Sequence, residues 1–408
     1  MPENYERRND REYEERITAI LRRQPDTIGV RVEAAPAAGS VASGPDGRNW
    51  VPYDPAPPRG VGGGEPEDAD PPVVLLYDKR RLAVRDNVWS QFAEFYKLEP
   101  DARAVYPGLD GVSIVDVSVR GDAYDVMTEF YDDRAKPEPP PIGQYDPFVK
   151  PRTVDAVSLI RHYLTTSHVF FWPQNRKTKS DAVLPAADWG DNRVVVVIDT
   201  GINPDHAFLA AGPGTADYLR NAAADAEWGG GGIDDGHGTG VAAVVRQHNA
   251  MATIFGARVQ LGQGQVDTVE ETEIVKAIDY VLWKFANDQR LVVLNLSFGG
   301  PVFGTSALYA KIQAFVGANR RVVAAAGNVT HARDRRPMQP AAWPVVYAVA
   351  SHDEHGKIHT WSNGDTRDHV WVDTARNGEV ETADGSNDVD VVHWRGTSFA
   401  APQLAATI

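Results

Sequence analysis

The sequence predicts an α/β protein with a doubly wound, mostly parallel sheet in its second half and a smaller α/β or α+β domain before it. In the second half, segments such as "RVVVVID" and "RLVVLNLSF" are apolar throughout, which is typical of strands covered on both faces. Helical patterns such as "EIVKAIDYVLWKFAND" separate these segments. Strands and helices in alternation predict a parallel sheet whose functional site lies at the carboxyl ends of the strands.

Composition excludes several kinds of chemistry. The chain has 408 residues, 42% of them hydrophobic, which is enough for two or three domains. Because cysteine is absent, disulfides, thiolate zinc sites and cysteine nucleophiles are excluded. The formal charge of −15 argues against a nucleic acid or an anionic membrane as partner.

The first 30 residues predict a short, charged helix. They contain no apolar segment of the kind found in a secretion signal, so a cytoplasmic location is expected, with secretion left open. The longest apolar runs, such as "VVVVI" at 194–198, are far shorter than the ~20 residues that span a bilayer.

Changes in composition predict the domain boundaries. Residues 31–72 are rich in proline, glycine and alanine and predict a linker. Residues 73–134 have a strand, helix, strand, helix pattern and predict a small domain. Residues 135–184 predict a connector with a helix at "VDAVSLIRHYLTT", and residues 185–408 predict the large α/β domain.

Two residues of the large domain fit a proton relay. Asp199 ends the predicted strand "VVVVID", at the functional edge of a parallel sheet; an N-cap or Asx-turn role is the alternative. His237 lies between Gly236 and Gly238, whose small size lets a substrate approach the imidazole closely. Imidazole is suited to taking and returning a proton, whereas a surface-loop histidine is the alternative.

Two further residues fit a nucleophile and its oxyanion site. Ser398 follows Gly396 and Thr397 and opens a predicted helix, whose N–H groups would stabilise a developing negative charge; a simple N-cap is the alternative. Asn328 follows the predicted strand "RRVVAAAG", where its amide could donate to an oxyanion. The alternative for Asn328 is a left-handed turn residue after Gly327. Together, Asp199, His237 and Ser398 supply the acid, base and nucleophile that an activated serine requires.

Five segments resemble the signature blocks of the subtilisin-like serine proteases, the subtilase or peptidase S8 family. They are "VIDTGI", "GHGTGVAAV", "NLSFGG", "VVAAAGN" and "GTSFAAPQLAA", in the family's order, over roughly residues 193–408. The resemblance implies a subtilisin-like fold and a serine endopeptidase that works through an acyl-enzyme intermediate, with a protein or a peptide as its substrate and partner.

The resemblance also implies individual roles. Asp199 would orient the imidazole, His237 would act as general base and acid, and Ser398 would attack the scissile carbonyl. Asn328 and the Ser398 N–H would form the oxyanion hole. The implied substrate-binding residues are Ser297, Phe298, Gly299, Gly300, Ala325, Ala326 and Gly327.

The sequence departs from the family pattern in several places, and two of them concern calcium binding and the length of the domain. Phe208, in "HAFL", stands where many members have an acidic calcium ligand. The sequence therefore establishes no cofactor. Calcium is a candidate, although its usual ligand position is not matched. Family members normally continue beyond the serine-bearing helix, so an end at Ile408 predicts a truncated or unusually short catalytic domain.

Several functional alternatives remain at this stage. Residues 73–134 resemble, faintly, an inhibitory propeptide that assists folding; a recognition or regulatory module is the alternative. For the whole chain, the alternatives to an endopeptidase are a catalytically silent subtilase fold used for binding, an esterase or other acyl hydrolase, and an intracellular protease dedicated to one partner protein.

Overall fold

The computed structural model describes most of the second half of the chain and part of the first. The described residues are 28–33, 42–43, 49–50, 73–132, 157–164, 178–180, 183, 184, 187, 190–203, 205–210, 236–259, 268–300, 307–317, 319–329, 335, 337–365, 370–384 and 388–408. The helix predicted before residue 28 and most of the predicted linker lie outside them.

The elements are numbered in chain order. The strands are β1 (Ile28–Glu33), β2 (Ala42–Ser43), β3 (Asn49–Trp50), β4 (Val73–Arg85), β5 (Arg103–Val105), β6 (Val112–Asp116), β7 (Val157–Leu164), β8 (Thr178–Ser180), β9 (Val194–Asp199), β10 (Thr253–Arg258), β11 (Thr268–Glu270), β12 (Val292–Leu296), β13 (Arg320–Ala325), β14 (Tyr347–His352), β15 (Thr374–Asn377), β16 (Glu379–Ala383) and β17 (Val391–Arg395). The helices are α1 (Asp86–Tyr96), α2 (Ala123–Asp132), α3 (Ala207–Ala210), α4 (His237–His248), α5 (Glu271–Lys284), α6 (Ala307–Phe315) and α7 (Thr397–Ala405).

The large domain is built on a six-stranded parallel sheet in the order β10-β9-β12-β13-β14-β15. Successive residues of a strand point to opposite faces. In β9, Val195 and Val197 pack with α4 and α7, whereas Val194 and Val196 pack with α5 and α6. Burial on both faces explains the continuous apolar runs and confirms the predicted doubly wound α/β fold.

A second, antiparallel sheet has the order β11-β7-β4-β6-β5, with β1 also paired to β4. One face packs against α1 and α2, where Leu82 meets Phe92 in an aromatic-rich core. The other face contributes Ala83, Ile160 and Tyr163 to the core of the large domain. The small domain is therefore an α+β unit that uses both faces of its sheet.

The predicted helix at "VDAVSLIRHYLTT" is wrong, because Val157–Leu164 forms strand β7 between β4 and β11. Leu159 faces α1 and α2, whereas Ile160 and Tyr163 face the large domain. Burial on both faces removes the alternation that would have marked a strand. Strand β1 likewise replaces the end of the predicted N-terminal helix and the start of the predicted linker, because it pairs with the beginning of β4.

Candidate active site

Asp199 is the last residue of β9, and its neighbouring strands bury it to 1% exposure. Its Oδ1 accepts a hydrogen bond from the Thr200 N–H at 2.7 Å. The same oxygen lies 2.8 Å from His237 Nδ1. Asp199 therefore contacts the predicted base, and its bond to the next N–H is neither an N-cap nor an Asx-turn bond, because those reach an N–H two or three residues further on.

His237 is the first residue of α4 and is fully buried, so the surface-loop interpretation is wrong. The neighbouring glycines permit this placement. Gly236 has φ +78°, and a Cβ on Gly238 would lie 2.2 Å from the Gly201 carbonyl oxygen. A larger residue at position 238 would push α4 away from the strand end that carries Asp199.

Two aromatic side chains hold the imidazole on its other sides. The His237 ring centroid lies 5.3 Å from that of Phe399 and 5.7 Å from that of Trp394, both in edge-on orientations. Phe399 directly follows Ser398 in α7. The imidazole therefore lies between the Asp199 carboxylate and the first turn of the helix that carries the predicted nucleophile.

Ser398 is the second residue of α7 and is 6% exposed. Its hydroxyl donates to the Ser297 carbonyl oxygen at 3.2 Å, and the Ser297 hydroxyl donates to the Ser398 carbonyl oxygen at 2.8 Å. These two bonds join residues 101 positions apart and place the segment after β12 beside the predicted nucleophile.

Asn328 follows β13 and is fixed through its side-chain oxygen. Asn328 Oδ1 accepts from the Thr397 N–H at 2.9 Å and from the Thr397 hydroxyl at 3.1 Å. With Oδ1 so occupied, the Nδ2 amide points away from Thr397. The left-handed turn belongs to Gly327, with φ +98°, whereas Asn328 forms an antiparallel bridge with Ser362.

The predicted substrate-binding residues divide into two groups. Gly300 exchanges two 3.0 Å backbone hydrogen bonds with Gln339, and Ser297 contacts Ser398 through both its carbonyl oxygen and its hydroxyl. Phe298 packs beside Tyr163, and Ala325 and Ala326 also lie in the core. Only the backbones of these last three residues remain candidates for contact with a substrate.

A family model described as "Subtilase family" matches residues 190–408, more than half of the chain. The chain belongs to the subtilase family. Subtilases are serine proteases, and the parallel α/β domain described above is the subtilisin-like fold of this family. A search of curated proteins finds no match.

Two solved structures are among those similar to this subtilase. One is that of the prenylagaramide maturation protease PagA; it is 22% identical with a TM-score of 0.42, and the match covers 53% of this chain and 74% of that chain. The other is a cold-adapted subtilisin-like serine proteinase, 22% identical with a TM-score of 0.39, and the match covers 58% of this chain and 82% of that chain.

Phe208, at the unmatched calcium-ligand position of this subtilase, lies in the short helix α3. Within the described part of the chain, no group of three or more His, Asp or Glu side chains could hold a metal ion. Near Phe208, His206 is buried and its Nε2 lies 3.1 Å from the Asp390 carbonyl oxygen.

None of the described helices is long and apolar enough to cross a membrane.

Three residues that the sequence did not single out contact the predicted site. Thr397 hydrogen-bonds Asn328, and the rings of Trp394 and Phe399 pack against His237. Thr397 and Phe399 flank Ser398 within one signature segment, so their positions were a usable signal. Trp394 lies on β17, and only the tertiary structure brings it to the imidazole.

Proposed function

We propose that this subtilase is a serine endopeptidase in which Asp199, His237 and Ser398 act as acid, base and nucleophile. The observation that carries the proposal is the position of the His237 imidazole, with Nδ1 2.8 Å from Asp199 and its ring against Phe399, the residue after Ser398. A buried imidazole held by a carboxylate, beside a serine at a helix start, is what activation of a hydroxyl requires.

The proposed reaction begins when the Ser398 side chain turns from the Ser297 carbonyl towards His237. With Nδ1–H donating to Asp199, the opposite nitrogen, Nε2, is the basic end of the ring. His237 takes the hydroxyl proton as Ser398 Oγ bonds to the peptide carbonyl carbon. The proton then passes to the leaving amine as the C–N bond breaks, and water repeats the sequence on the acyl-enzyme.

The proposed oxyanion hole consists of the Asn328 Nδ2 amide and the Ser398 N–H. The Asn328 side chain suits this role because its Oδ1 accepts two hydrogen bonds from Thr397. These bonds fix the side chain before the substrate binds. The Ser398 N–H lies in the first turn of α7, where N–H groups have no helical acceptor. Fixed donors of this kind stabilise a developing charge without reorganisation.

The proposed substrate lies along the segment Ser297–Gly300 as an added strand, on the side away from Gln339. Gly300 pairs with Gln339 on the other side, and the Ser398 hydroxyl lies beside the Ser297 carbonyl. Such pairing uses main-chain groups within a peptide and requires no chain end. It therefore favours an endopeptidase over an exopeptidase or a simple esterase.

Covalent labelling tests the proposed function. A fluorophosphonate probe should label the full chain, because an activated hydroxyl displaces fluoride from phosphorus, and Ser398→Ala should abolish labelling. The full chain should also cleave casein and internal bonds of a peptide library, read by mass spectrometry. A folded protein that is neither labelled nor proteolytic would favour a silent binding fold, and cleavage of simple esters alone would favour an esterase.

We also propose that the N-terminal unit, defined as residues 73–132 with β7, stabilises the peptidase domain by docking on α5 and α6. Strand β7 pairs with β11, which immediately precedes α5. The Lys311 ammonium, on α6, donates to the Gly108 carbonyl at 2.6 Å and pairs with Asp279. The Glu271 carboxylate, on α5, accepts from the Arg161 N–H of β7 at 3.4 Å and from the Leu308 N–H of α6 at 2.9 Å.

Replacement of Lys311 should loosen this docking. Lys311→Met keeps much of the aliphatic stem but leaves the Gly108 carbonyl and Asp279 without their cation. We expect the amides of β7 and β11 to exchange with solvent roughly tenfold faster, since ~1.4 kcal/mol corresponds to a factor of ten. Hydrogen exchange read by mass spectrometry measures this. Lys357→Met, at an exposed lysine, is the control, and equal exchange in both variants would remove the proposed docking contact.

A further inference from the structure

Helix α7 contains a proline at a position that affects the predicted nucleophile directly. Pro402 lies inside Thr397–Ala405 and has no backbone N–H. In an α-helix that N–H would donate to the carbonyl four residues earlier, which is the carbonyl of Ser398. Ser398 is buried, so its carbonyl needs another donor or incurs the cost of a buried, unsatisfied acceptor.

The Ser297 hydroxyl is that donor. It hydrogen-bonds the Ser398 carbonyl oxygen at 2.8 Å, and it receives a hydrogen bond from Asn295 Nδ2 at 2.9 Å. Both residues are buried, with 0% exposure at Asn295 and 1% at Ser297. A hydroxyl has only one hydrogen, so Asn295 must present its N–H₂ group here rather than its oxygen. The chain of donors therefore has one direction, from Asn295 through Ser297 to Ser398.

We propose that Asn295 is a positioning residue for the nucleophile and acts through Ser297 to replace the helical hydrogen bond that Pro402 removes. The inference rests on the proposed function of Ser398. It goes beyond that function because it assigns tasks to Asn295 and Pro402, and it gives the Ser297 side chain a task separate from its backbone contact with substrate.

The location of this hydrogen bond explains why it affects catalysis. Ser398 supplies both the attacking hydroxyl and one N–H of the proposed oxyanion hole. The Ser398 carbonyl belongs to the same residue, so its displacement shifts both groups relative to His237 and Asn328. Substrate pairing at the Ser297–Gly300 edge uses backbone atoms and does not require the Ser297 hydroxyl. Loss of the donor chain should therefore lower kcat more than it raises KM.

Kinetics of three variants provide the first test. Ser297→Ala and Asn295→Ala should each lower kcat about tenfold with KM within about twofold, the size expected for one hydrogen bond formed at the reacting residue. Ser297→Thr keeps the hydroxyl and should restore most of kcat. Ser113→Ala removes a comparable hydroxyl bond, 2.7 Å to Asp86 in the small domain, and should keep kcat. A merely structural role would lower the thermal midpoint in all these variants without a change in kcat below it.

Pro402→Ala provides the decisive test, because it restores a backbone N–H at position 402. On that background the Ser398 carbonyl has a helical donor, so Ser297→Ala should cost less than about threefold in kcat rather than about tenfold. An equal loss on both backgrounds would overturn the inference, as would full activity of Asn295→Ala. If Pro402→Ala does not fold, the comparison of Ser297→Ala with Ser297→Thr decides. An inactive wild-type chain would instead contradict the proposed function itself.

Discussion

Replacing His237 with alanine should lower kcat for peptide hydrolysis by on the order of 10⁶, and adding Ser398→Ala should cost almost nothing further. The physical reason is that base and nucleophile work as one unit. A serine hydroxyl without a base is a poor nucleophile, and an imidazole without the hydroxyl has no proton to take. His237 is fully buried between Asp199 and Phe399, so no other side chain can take its place without repacking of α4 and α7.

Single-turnover kinetics with a fluorogenic peptide measure this non-additivity, because they separate the chemical step from product release. His355→Ala removes an exposed histidine that the proposed reaction does not use, and it should keep the wild-type kcat. If the losses in kcat caused by Ser398→Ala and by His237→Ala multiplied in the double variant, the two residues would act independently. The proton relay would then be excluded.

The large domain was predictable because its strands are covered on both faces. Segments such as β9 and β12 are apolar at almost every position, and glycine-containing turns follow them closely. The same physical situation misled the prediction at β7. Its residues are also buried on both faces, but its Arg161 and His162 interrupt the apolar run and gave it the look of an amphipathic helix. The segment is a strand because it pairs with β11, about a hundred positions later, and such long-range pairing leaves no signal in the local sequence.

The candidate site was predictable to the extent that chemistry lies at the ends of elements. Asp199 ends a strand, and His237 and Ser398 begin helices, as expected for a parallel sheet. What the sequence could not predict are the contacts between these ends. The hydrogen bond from Ser297 to Ser398 joins residues 101 apart, and the one from Thr397 to Asn328 joins residues 69 apart. The burial of Phe298 against Tyr163 likewise depends on docking of the small domain.

Loss of the Asn328 amide should lower kcat by about 10²–10³ with little change in KM, because an oxyanion donor acts mainly on the transition state. Asn328→Ala alone would be ambiguous here, since the side chain also accepts two hydrogen bonds from Thr397. Asn328→Asp resolves this: its carboxylate can still accept from Thr397, but it has no N–H to offer and places a negative charge where negative charge develops.

Thr397→Val is the matched control for the structural part of Asn328. It removes the Thr397 hydroxyl contacts with Asn328 and with the Gly327 N–H but keeps the Thr397 N–H that also fixes Asn328 Oδ1. If the amide acts on the oxyanion, both Asn328 variants should lose about 10²-fold or more while Thr397→Val loses less than about tenfold. If Asn328 only supports the start of α7, Thr397→Val should approach Asn328→Ala and Asn328→Asp should stay close to wild type. Steady-state kcat and KM for one peptide substrate distinguish these outcomes, because only a role as oxyanion donor makes both Asn328 variants much slower than Thr397→Val.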